Sequence, residues 1–237
     1  MLDLVNNFDS EFILWLNVIA SGNDFVDHFV WKFANSDLIK GGVMVGLLWG
    51  VWTLDRPSRD ATSDMVRAFL GLVAAVFICR ALQLLTPQRE RPLDALALNF
   101  RPPSDVPTNA LDNWSAFPSD HGVLYVGIAV AVYWRSRIVG ALALAWAVVV
   151  IFLPRLYSGV HYPSDIIVGA VLGAALMAAA MTVPAPAPAL AALGRWRARH
   201  PAQFQTLAFI ASFEVAWQFR GARFIVDILG YCLGVNL

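Results

Sequence analysis

The chain has 237 residues, of which 58% are hydrophobic and only 14% are charged, and its formal net charge is zero. A soluble domain of this size carries about 25% charged residues, so the composition indicates an integral membrane protein rather than a soluble one. The balanced charge provides no general attraction to nucleic acid, and we predict no nucleic-acid partner. The two cysteines lie in apolar stretches and predict small buried side chains rather than a disulfide framework.

Six apolar runs follow an amphipathic N-terminal part, at 38–54, 66–85, 119–134, 138–154, 164–184 and 204–219. A spanning helix needs about 20 apolar residues with some tolerance, so we expect each run to cross the membrane. The sequence therefore predicts an all-α polytopic membrane protein with a six-transmembrane-helix bundle. We expect one domain, made of amphipathic helices over 1–37, the six-helix core over 38–219 and a short C-terminal helix over 220–237.

Arginines in short loops predict the orientation, because such residues stay on the cytoplasmic side. Basic residues occur in the loops at 55–67, 135–137 and 185–203, which places the 86–118 and 155–163 loops and both termini outside. The outer loops nevertheless carry Arg89, Arg91, Arg101 and Arg155. Basic residues retained on that side indicate a role other than topology.

The stretch FPSDHG, residues 117–122, comes directly before an apolar run. Pro118 is tolerated at a helix start and Ser119 is a good N-cap, so we expect a helix to begin at Asp120. Its free backbone N–H groups would form an anion site facing the loop. Simple capping, with His121 incidental, is the alternative explanation.

The stretch RLYSGVHYPSD, residues 155–165, repeats the pattern, with the histidine now before the helix. Arg155 lies six residues before His161, which lies four before Asp165. Asp165 is near enough to accept a hydrogen bond from one ring nitrogen of His161, which would leave the other nitrogen as a nucleophile. A capping aspartate beside an interfacial histidine is the alternative.

A third segment, RERP at 89–92, places Arg91 in an extended or turn conformation before a proline. Its guanidinium can bind a phosphate bidentately, although snorkelling to the interface would also explain it. Together, two arginines, a helix N-terminus and two histidines converge on one membrane face. This set is typical of phosphoryl transfer. No cysteine or histidine spacing predicts a zinc site, and we expect no metal and no cofactor.

FPSDH resembles the second motif of the type 2 phosphatidic acid phosphatases (PAP2), Pro-Ser-Gly-His. RLYSGVHYPSD is similar to their third motif, Ser-Arg-x5-His-x3-Asp, and RERP to the end of their first, Lys-x6-Arg-Pro. The resemblance covers roughly residues 66 to 184. It implies that His161 is the nucleophile, that Asp165 orients it and that His121 protonates the leaving oxygen. It also implies that Arg91, Arg155 and Ser119 bind the phosphate, without a metal.

Three positions depart from the family pattern. Leu84 stands at the first-motif lysine, for which Arg80 and Arg89 are candidate replacements, and Pro154 stands at the third-motif serine. Asp120 replaces the second-motif glycine. A carboxylate there weakens anion binding unless it faces away or pairs with an arginine.

The resemblance implies a membrane lipid-phosphate phosphatase in a bacterial inner membrane, with its site on the extracytoplasmic face. Undecaprenyl diphosphate, phosphatidic acid and phosphatidylglycerol phosphate are the candidate substrates, and membrane lipids are the surrounding partners. We expect the polar loop at 101–116 to select the headgroup. A phosphotransferase using the same phosphohistidine is one alternative. A non-enzymatic channel or scaffold is another, although the polar groups cluster at one face rather than along a path.

Overall fold

The computed structural model describes residues 2–20, 23–53, 61–103, 106, 115–183 and 187–220, which contain helices and no strand. In chain order the α-helices are α1 Leu2–Ala20, α2 Asp24–Asn35, α3 Val43–Trp52, α4 Ala61–Leu85, α5 Asp120–Arg135, α6 Arg137–Trp146, α7 Leu153–Tyr157, α8 Pro163–Thr182, α9 Ala187–Arg199 and α10 Pro201–Ala216. A π-helical stretch, Leu38–Gly42, leads into α3, and another, Ala147–Phe152, joins α6 to α7. The 86–118 segment contains a 3-10 turn at Leu96–Leu98.

Three helical stretches of the described chain are long and apolar enough to cross a membrane: Ala61–Leu85, Arg137–Tyr157 and Pro163–Thr182. The other apolar runs form shorter helices, Leu38–Trp52, Asp120–Arg135 and Pro201–Ala216. The all-α prediction is confirmed for the described residues, whereas six membrane spans and the domain boundaries stay predictions. The predicted C-terminal helix lies outside the described residues from 221 onward.

Helix α5 lies at the centre of the bundle and packs against α3, α4, α6 and α8. It begins at Asp120, as the capping signal predicts, because the Ser119 hydroxyl accepts a hydrogen bond from the Gly122 N–H at 3.4 Å. Most of its residues are buried, including Tyr125 and Ile128. A helix that is apolar all round is suited to this central position.

Glycines let α5 and α8 cross at close range. A Cβ atom at Gly169 or Gly173 of α8 would overlap the carbonyl oxygens of Ser119 and Val123, respectively. Such small residues allow backbones to approach each other within a membrane. The crossing brings the starts of both helices together, and the Ser119 N–H donates to the Asp165 carbonyl at 3.1 Å. The second and third motifs therefore meet at one end of the bundle.

Helices α4 and α5 are joined by an ion pair at each end. Near the motif end, Arg80 Nη2 of α4 lies 2.8 Å from Asp120 Oδ2 of α5. At the opposite end, Arg135 Nη1 of α5 lies 3.3 Å from Asp64 Oδ2 of α4. In the first pair α4 supplies the arginine, and in the second pair α5 does. Only the first pair is near the motif residues.

The N-terminal helices cover the end of the bundle where the motifs meet. Helix α1 packs against α7 and α8, and α2 packs against α7. The Tyr157 hydroxyl donates to Asp27 Oδ1 at 2.5 Å. On α1, the buried Asp9 accepts a hydrogen bond from the Ser164 N–H at 3.0 Å, at the start of α8. These helices therefore contact the third motif directly.

Candidate active site

His161 lies in the short connection between α7 and α8 and is only 2% exposed. Its Nδ1 lies 3.0 Å from the Ala116 carbonyl oxygen, and its Nε2 lies 3.3 Å from the Ser119 hydroxyl. Because a carbonyl can only accept, Nδ1 carries the proton and Nε2 carries the lone pair. Burial lowers the pKa of His161 below its ordinary value, although Asp165 acts in the opposite direction. The ring is therefore neutral near pH 7, which is the form that the predicted nucleophilic role requires.

Asp165 is fully buried and both of its oxygens have partners. Oδ2 accepts from the Tyr162 N–H at 2.8 Å, and Oδ1 lies 2.5 Å from Arg89 Nη1. The distance from Oδ2 to His161 Nδ1 is 3.8 Å, beyond hydrogen-bond length. The spacing predicts a direct hydrogen bond to His161, but the nearer Ala116 carbonyl takes that proton. Asp165 thus caps α8 and acts on His161 through its charge.

Arg89 connects Asp165 to the N-terminal helix. Its Nη1 also donates to the Ser164 hydroxyl at 2.8 Å, and its Nη2 lies 2.7 Å from Asp9 Oδ2. Burial works against the charge, but the Asp165 and Asp9 carboxylates raise the pKa of Arg89 above its ordinary value. Both terminal nitrogens are occupied by carboxylates. Arg89 is therefore poorly placed to replace the missing first-motif lysine as a phosphate ligand.

His121 sits in the first turn of α5 and is 6% exposed. Its ring centroid lies 6.5 Å from that of His161. Its Nδ1 lies 2.7 Å from Asp120 Oδ1, and its Nε2 lies 2.6 Å from Gln218 Nε2. The Gln218 amide also donates to the Tyr125 hydroxyl at 3.0 Å. The ring is thus held on both sides.

Asp120 pairs with an arginine, which is one of the two arrangements that would preserve anion binding. Arg80 Nη2 donates to its Oδ2 at 2.8 Å, and Arg80 Nη1 donates to Gln83 Oε1 at 2.7 Å. Arg80 comes from α4, one turn before the position of the missing lysine, Leu84. Its cation offsets the carboxylate that replaces the family glycine.

A cavity of about 350 Å³ opens beside His121. It is lined by Trp31, Ala34, Asn35, Arg80, Arg91, Asp120, His121, Pro154, Arg155, Ser158, Val160, Gln218 and Arg220. Four arginines and one carboxylate line it, and Arg220 also pairs with Asp37 outside the lining, so the excess positive charge favours an anion. Arg91 Nη1 donates to the Val160 carbonyl at 2.8 Å, whereas the buried Arg155 Nε has no hydrogen-bond partner among the described residues.

The six residues predicted from the motifs lie together at this end of the bundle. Arg91, Arg155 and His121 line the cavity, whereas Ser119, His161 and Asp165 are buried beside it. The Nε2 of His161 contacts the Ser119 hydroxyl, so its lone pair is engaged within the protein in this structure.

The ligand atoms of Asp120, His121 and His161 lie within 4.8 Å of one another. Two histidines and one carboxylate at that distance are a metal-binding combination. The arginines that line the same cavity repel a cation and attract an anion. The electrostatics therefore favour phosphate over a metal ion at this position.

Several residues near the site were not identified from sequence. Gln218 and Arg220 follow α10, outside the three motifs, and no spacing rule connects them to the site. Lys40 is fully buried with its Nζ 3.3 Å from Asp37 Oδ1. A lysine inside an apolar run is itself a functional signal. Asp9 had no signal beyond being an acid in an amphipathic helix.

Residues 64–188, more than half of the chain, match the family model described as the PAP2 superfamily. The chain belongs to the PAP2 superfamily. This PAP2 chain is also similar to the Bacitracin transport permease protein BcrC of Bacillus licheniformis, with 34% identity over 87 residues. That alignment covers 34% of this chain and 41% of the relative, so less than half of the relative's length is matched. No solved structure matches the chain.

Membership of the superfamily confirms the resemblance drawn from the three motifs. The matched segment contains His121, His161 and Asp165 together with Arg91 and Arg155. Their individual roles stay predictions. Asp9, Lys40, Gln218 and Arg220 lie outside the matched segment.

Proposed function

We propose that this PAP2 chain is an integral membrane phosphatase that removes phosphate from a lipid phosphate or diphosphate. The observation that carries the proposal is the pair of buried histidines, 6.5 Å apart, beside a cavity lined by four arginines. Phosphoryl transfer depends mainly on positioning and charge neutralisation, and this arrangement supplies both.

In the first step, Arg91 and Arg155 bind the phosphate oxygens and turn the phosphorus toward His161. The Nε2 lone pair of His161 attacks phosphorus while the bond to the leaving oxygen breaks. His121 gives its Nε2 proton to that oxygen, so the leaving group departs neutralised. The product is a phosphohistidine on Nε2 of His161 and a free lipid alcohol or lipid monophosphate.

In the second step, a water molecule attacks the phosphohistidine. His121 Nε2, now unprotonated, accepts a proton from the water as the phosphorus–nitrogen bond breaks. Inorganic phosphate leaves, and His161 returns to the neutral form, with its Nδ1–H still donating to the Ala116 carbonyl oxygen. The same histidine acts as acid and then as base, as microscopic reversibility requires.

Arg91 and Arg155 are the cavity arginines that we assign to the phosphate, because the other two pair with carboxylates, Arg80 with Asp120 and Arg220 with Asp37. A polyprenyl diphosphate such as undecaprenyl diphosphate is our leading substrate, followed by phosphatidic acid and phosphatidylglycerol phosphate. Exposed apolar side chains on α4, among them Phe77 and Leu84, offer a surface for the lipid tail. We place the site at the extracytoplasmic face of a bacterial inner membrane.

The direct test is phosphate release by the purified protein in detergent, with EDTA present, from each of the three lipids. We expect release from at least one lipid, and none from His161→Ala. Brief incubation with labelled lipid should leave an acid-labile label on the wild type. Phosphate release that survives in His161→Ala, or no release from any lipid, would overturn the proposal.

Two other functions predict different results for the same variant or substrate. A phosphotransferase would pass the label to an added lipid or sugar acceptor rather than to water. The name of the Bacillus relative describes a transport permease, and a transport role would leave proteoliposome flux intact in His161→Ala. The buried ionisable groups of the site lie at one end of the described bundle, which favours the hydrolase.

A further inference from the structure

The two carboxylate oxygens of Asp120 contact two different residues. Oδ1 lies 2.7 Å from Nδ1 of His121, and Oδ2 lies 2.8 Å from Nη2 of Arg80. The Gln218 amide donates to Nε2 of His121 at 2.6 Å, so in this structure Nε2 has the lone pair and the ring proton lies on Nδ1, toward Asp120. We propose that Asp120 is a positioning residue for His121: it holds the Nδ1 proton and stabilises the imidazolium that forms when Nε2 takes up the proton later given to the leaving oxygen. The inference rests on the proposed phosphatase function and concerns a residue that departs from the family motif.

The carboxylate is itself held firmly. Oδ1 also accepts from the His121 backbone N–H at 2.8 Å, which ties the side chain to the first turn of α5. Arg80 approaches from α4 and is held by Gln83 Oε1 at 2.7 Å. The Gln83 amide in turn donates to the Pro118 carbonyl at 2.8 Å. A continuous series of contacts therefore connects α4 to the Nδ1 side of the His121 ring.

The two histidines of the site have different partners on Nδ1, and the difference matches the two roles. His161 donates to a neutral backbone carbonyl, and the nearest carboxylate, Asp165, is 3.8 Å away. His121 faces a carboxylate at 2.7 Å. A carboxylate on Nδ1 stabilises the imidazolium, whereas a carbonyl mainly fixes the tautomer. The two environments therefore support the proposed roles of His121 as proton donor and His161 as neutral nucleophile.

The proton balance of the reaction is satisfied without titration of Asp120. As the bond from phosphorus to the leaving oxygen breaks, the Nε2 proton moves from His121 to that oxygen. The Nδ1 proton stays between His121 and the ionised Asp120. In the hydrolysis step Nε2 takes a proton from water, and the imidazolium is again stabilised by the same carboxylate.

Other groups around His121 also influence its protonation, and the variants below leave these residues unchanged. They are Arg80 from α4, Arg155 from α7, Lys40 from the π-helical stretch before α3, His161 from the connection to α8, and Tyr125 and Gln218 beside the ring. The cations oppose protonation of the ring, and Asp120 is the carboxylate in contact with it.

The test is Asp120→Asn with the substrate that the wild type hydrolyses. We expect kcat to fall roughly 100-fold, as for loss of general acid catalysis, with KM within about threefold. The basic limb of the kcat–pH profile should move to lower pH, because the amide no longer stabilises the imidazolium. Asp120→Gly, which restores the family residue, should show the same shift. Asp120→Glu keeps the charge but displaces it, so kcat should fall while the basic limb stays.

Asp64→Asn is the matched control, since it breaks the ion pair that joins the same two helices at the far end. It should lower the melting temperature without moving the pH profile. An Asp120→Asn enzyme with wild-type kcat and basic limb, or with a change in KM alone, would overturn the inference. If the wild type hydrolyses no lipid, the proposed function fails instead, so the two failures are distinguishable.

A measurement on the unaltered protein covers the case in which the variants do not fold. Nitrogen-15 NMR of histidine-labelled protein reports which ring nitrogen is protonated, with His121→Gln identifying the signal. We expect His121 Nδ1 to carry a strongly hydrogen-bonded proton throughout the active pH range. An unprotonated Nδ1 would overturn the inference regardless of the kinetics.

Discussion

Arg89 holds Asp165 at 2.5 Å through Nη1 and Asp9 at 2.7 Å through Nη2. One guanidinium thus connects the third motif, at the start of α8, to the N-terminal helix α1. Both carboxylates are fully buried, and a buried carboxylate without a partner is strongly destabilising. The N-terminal helix is therefore part of the support for the site.

Replacing Arg89 by lysine should show whether Arg89 positions the third motif or binds the substrate phosphate. Lysine keeps the charge but cannot bridge two carboxylates with a planar fork. We expect kcat to fall between about 10- and 100-fold through misplacement of the third motif, with KM unchanged. Steady-state kinetics on the detergent-purified protein measures both. Glu90→Gln, an exposed neighbour, is the control, and a rise in KM for Arg89→Lys would mean that Arg89 binds phosphate.

Arg155 should behave in the opposite way. It lines the cavity, and its buried Nε has no hydrogen-bond partner among the described residues. Arg155→Gln should raise KM, and so lower kcat/KM by about 10- to 100-fold, the effect of losing a hydrogen bond to a charged group. Arg137→Gln, an exposed arginine at the other end of the same helical stretch, should leave kcat/KM unchanged. Equal effects of the two variants would contradict the assignment.

The pH dependence follows from the environment of His161. Only the neutral ring attacks phosphorus, and burial lowers the pKa of His161 below its ordinary 6.5. The ring is therefore still mostly neutral at pH 6.5, and the enzyme keeps its activity until the pH falls further. We expect the acidic limb of the kcat–pH profile at saturating substrate to lie below pH 6.5. A midpoint above pH 6.5 would be inconsistent with the buried site.

The close crossing of α5 and α8 depends on Gly173. A Cβ atom there would overlap the Val123 carbonyl oxygen, so the two helices have to separate. We expect Gly173→Ala to lower the free energy of unfolding by about 2 kcal/mol and to reduce activity. Gly50→Ala on α3, where nothing lies within 4 Å, is the control. The melting temperatures of the two variants, measured in the same detergent, test this prediction. Equal melting temperatures would contradict the packing argument.

The membrane orientation can be tested with single cysteines at two exposed positions, Gln88 and Ala198. The background carries Cys79→Ala and Cys232→Ala. If the site faces outward, Gln88→Cys in intact cells reacts with an impermeant thiol reagent and Ala198→Cys does not. The reverse labelling pattern would place the site inside and exclude a substrate in the outer leaflet.

Much of this site is local in sequence and could be predicted. The cap at Ser119, the start of α5 at Asp120 and the start of α8 at Pro163 all follow from residue types that lie next to one another. His121 and His161 could be identified because each stands within two residues of such a start.

The partners of those residues could not be predicted in the same way. Spacing pairs His161 with Asp165, yet the acceptor at hydrogen-bond distance is the Ala116 carbonyl, 45 positions earlier in the chain. Gln218 contacts His121 across 97 positions, and Asp9 contacts Ser164 across 155. A backbone carbonyl or a lone polar residue has no pattern that reveals such a contact before the helices are packed.

The sequence by itself determined the class of the molecule, the order of its helices and the candidate site residues, because composition, capping and motif spacing depend on neighbours along the chain. Only the tertiary structure decided how the charges pair. Asp120 stands where the family has glycine, and the sequence left open whether it faces away from the site or pairs with an arginine. The crossing of α4 and α5 places it between Arg80 and His121, since hydrogen bonds and ion pairs depend on distance in space.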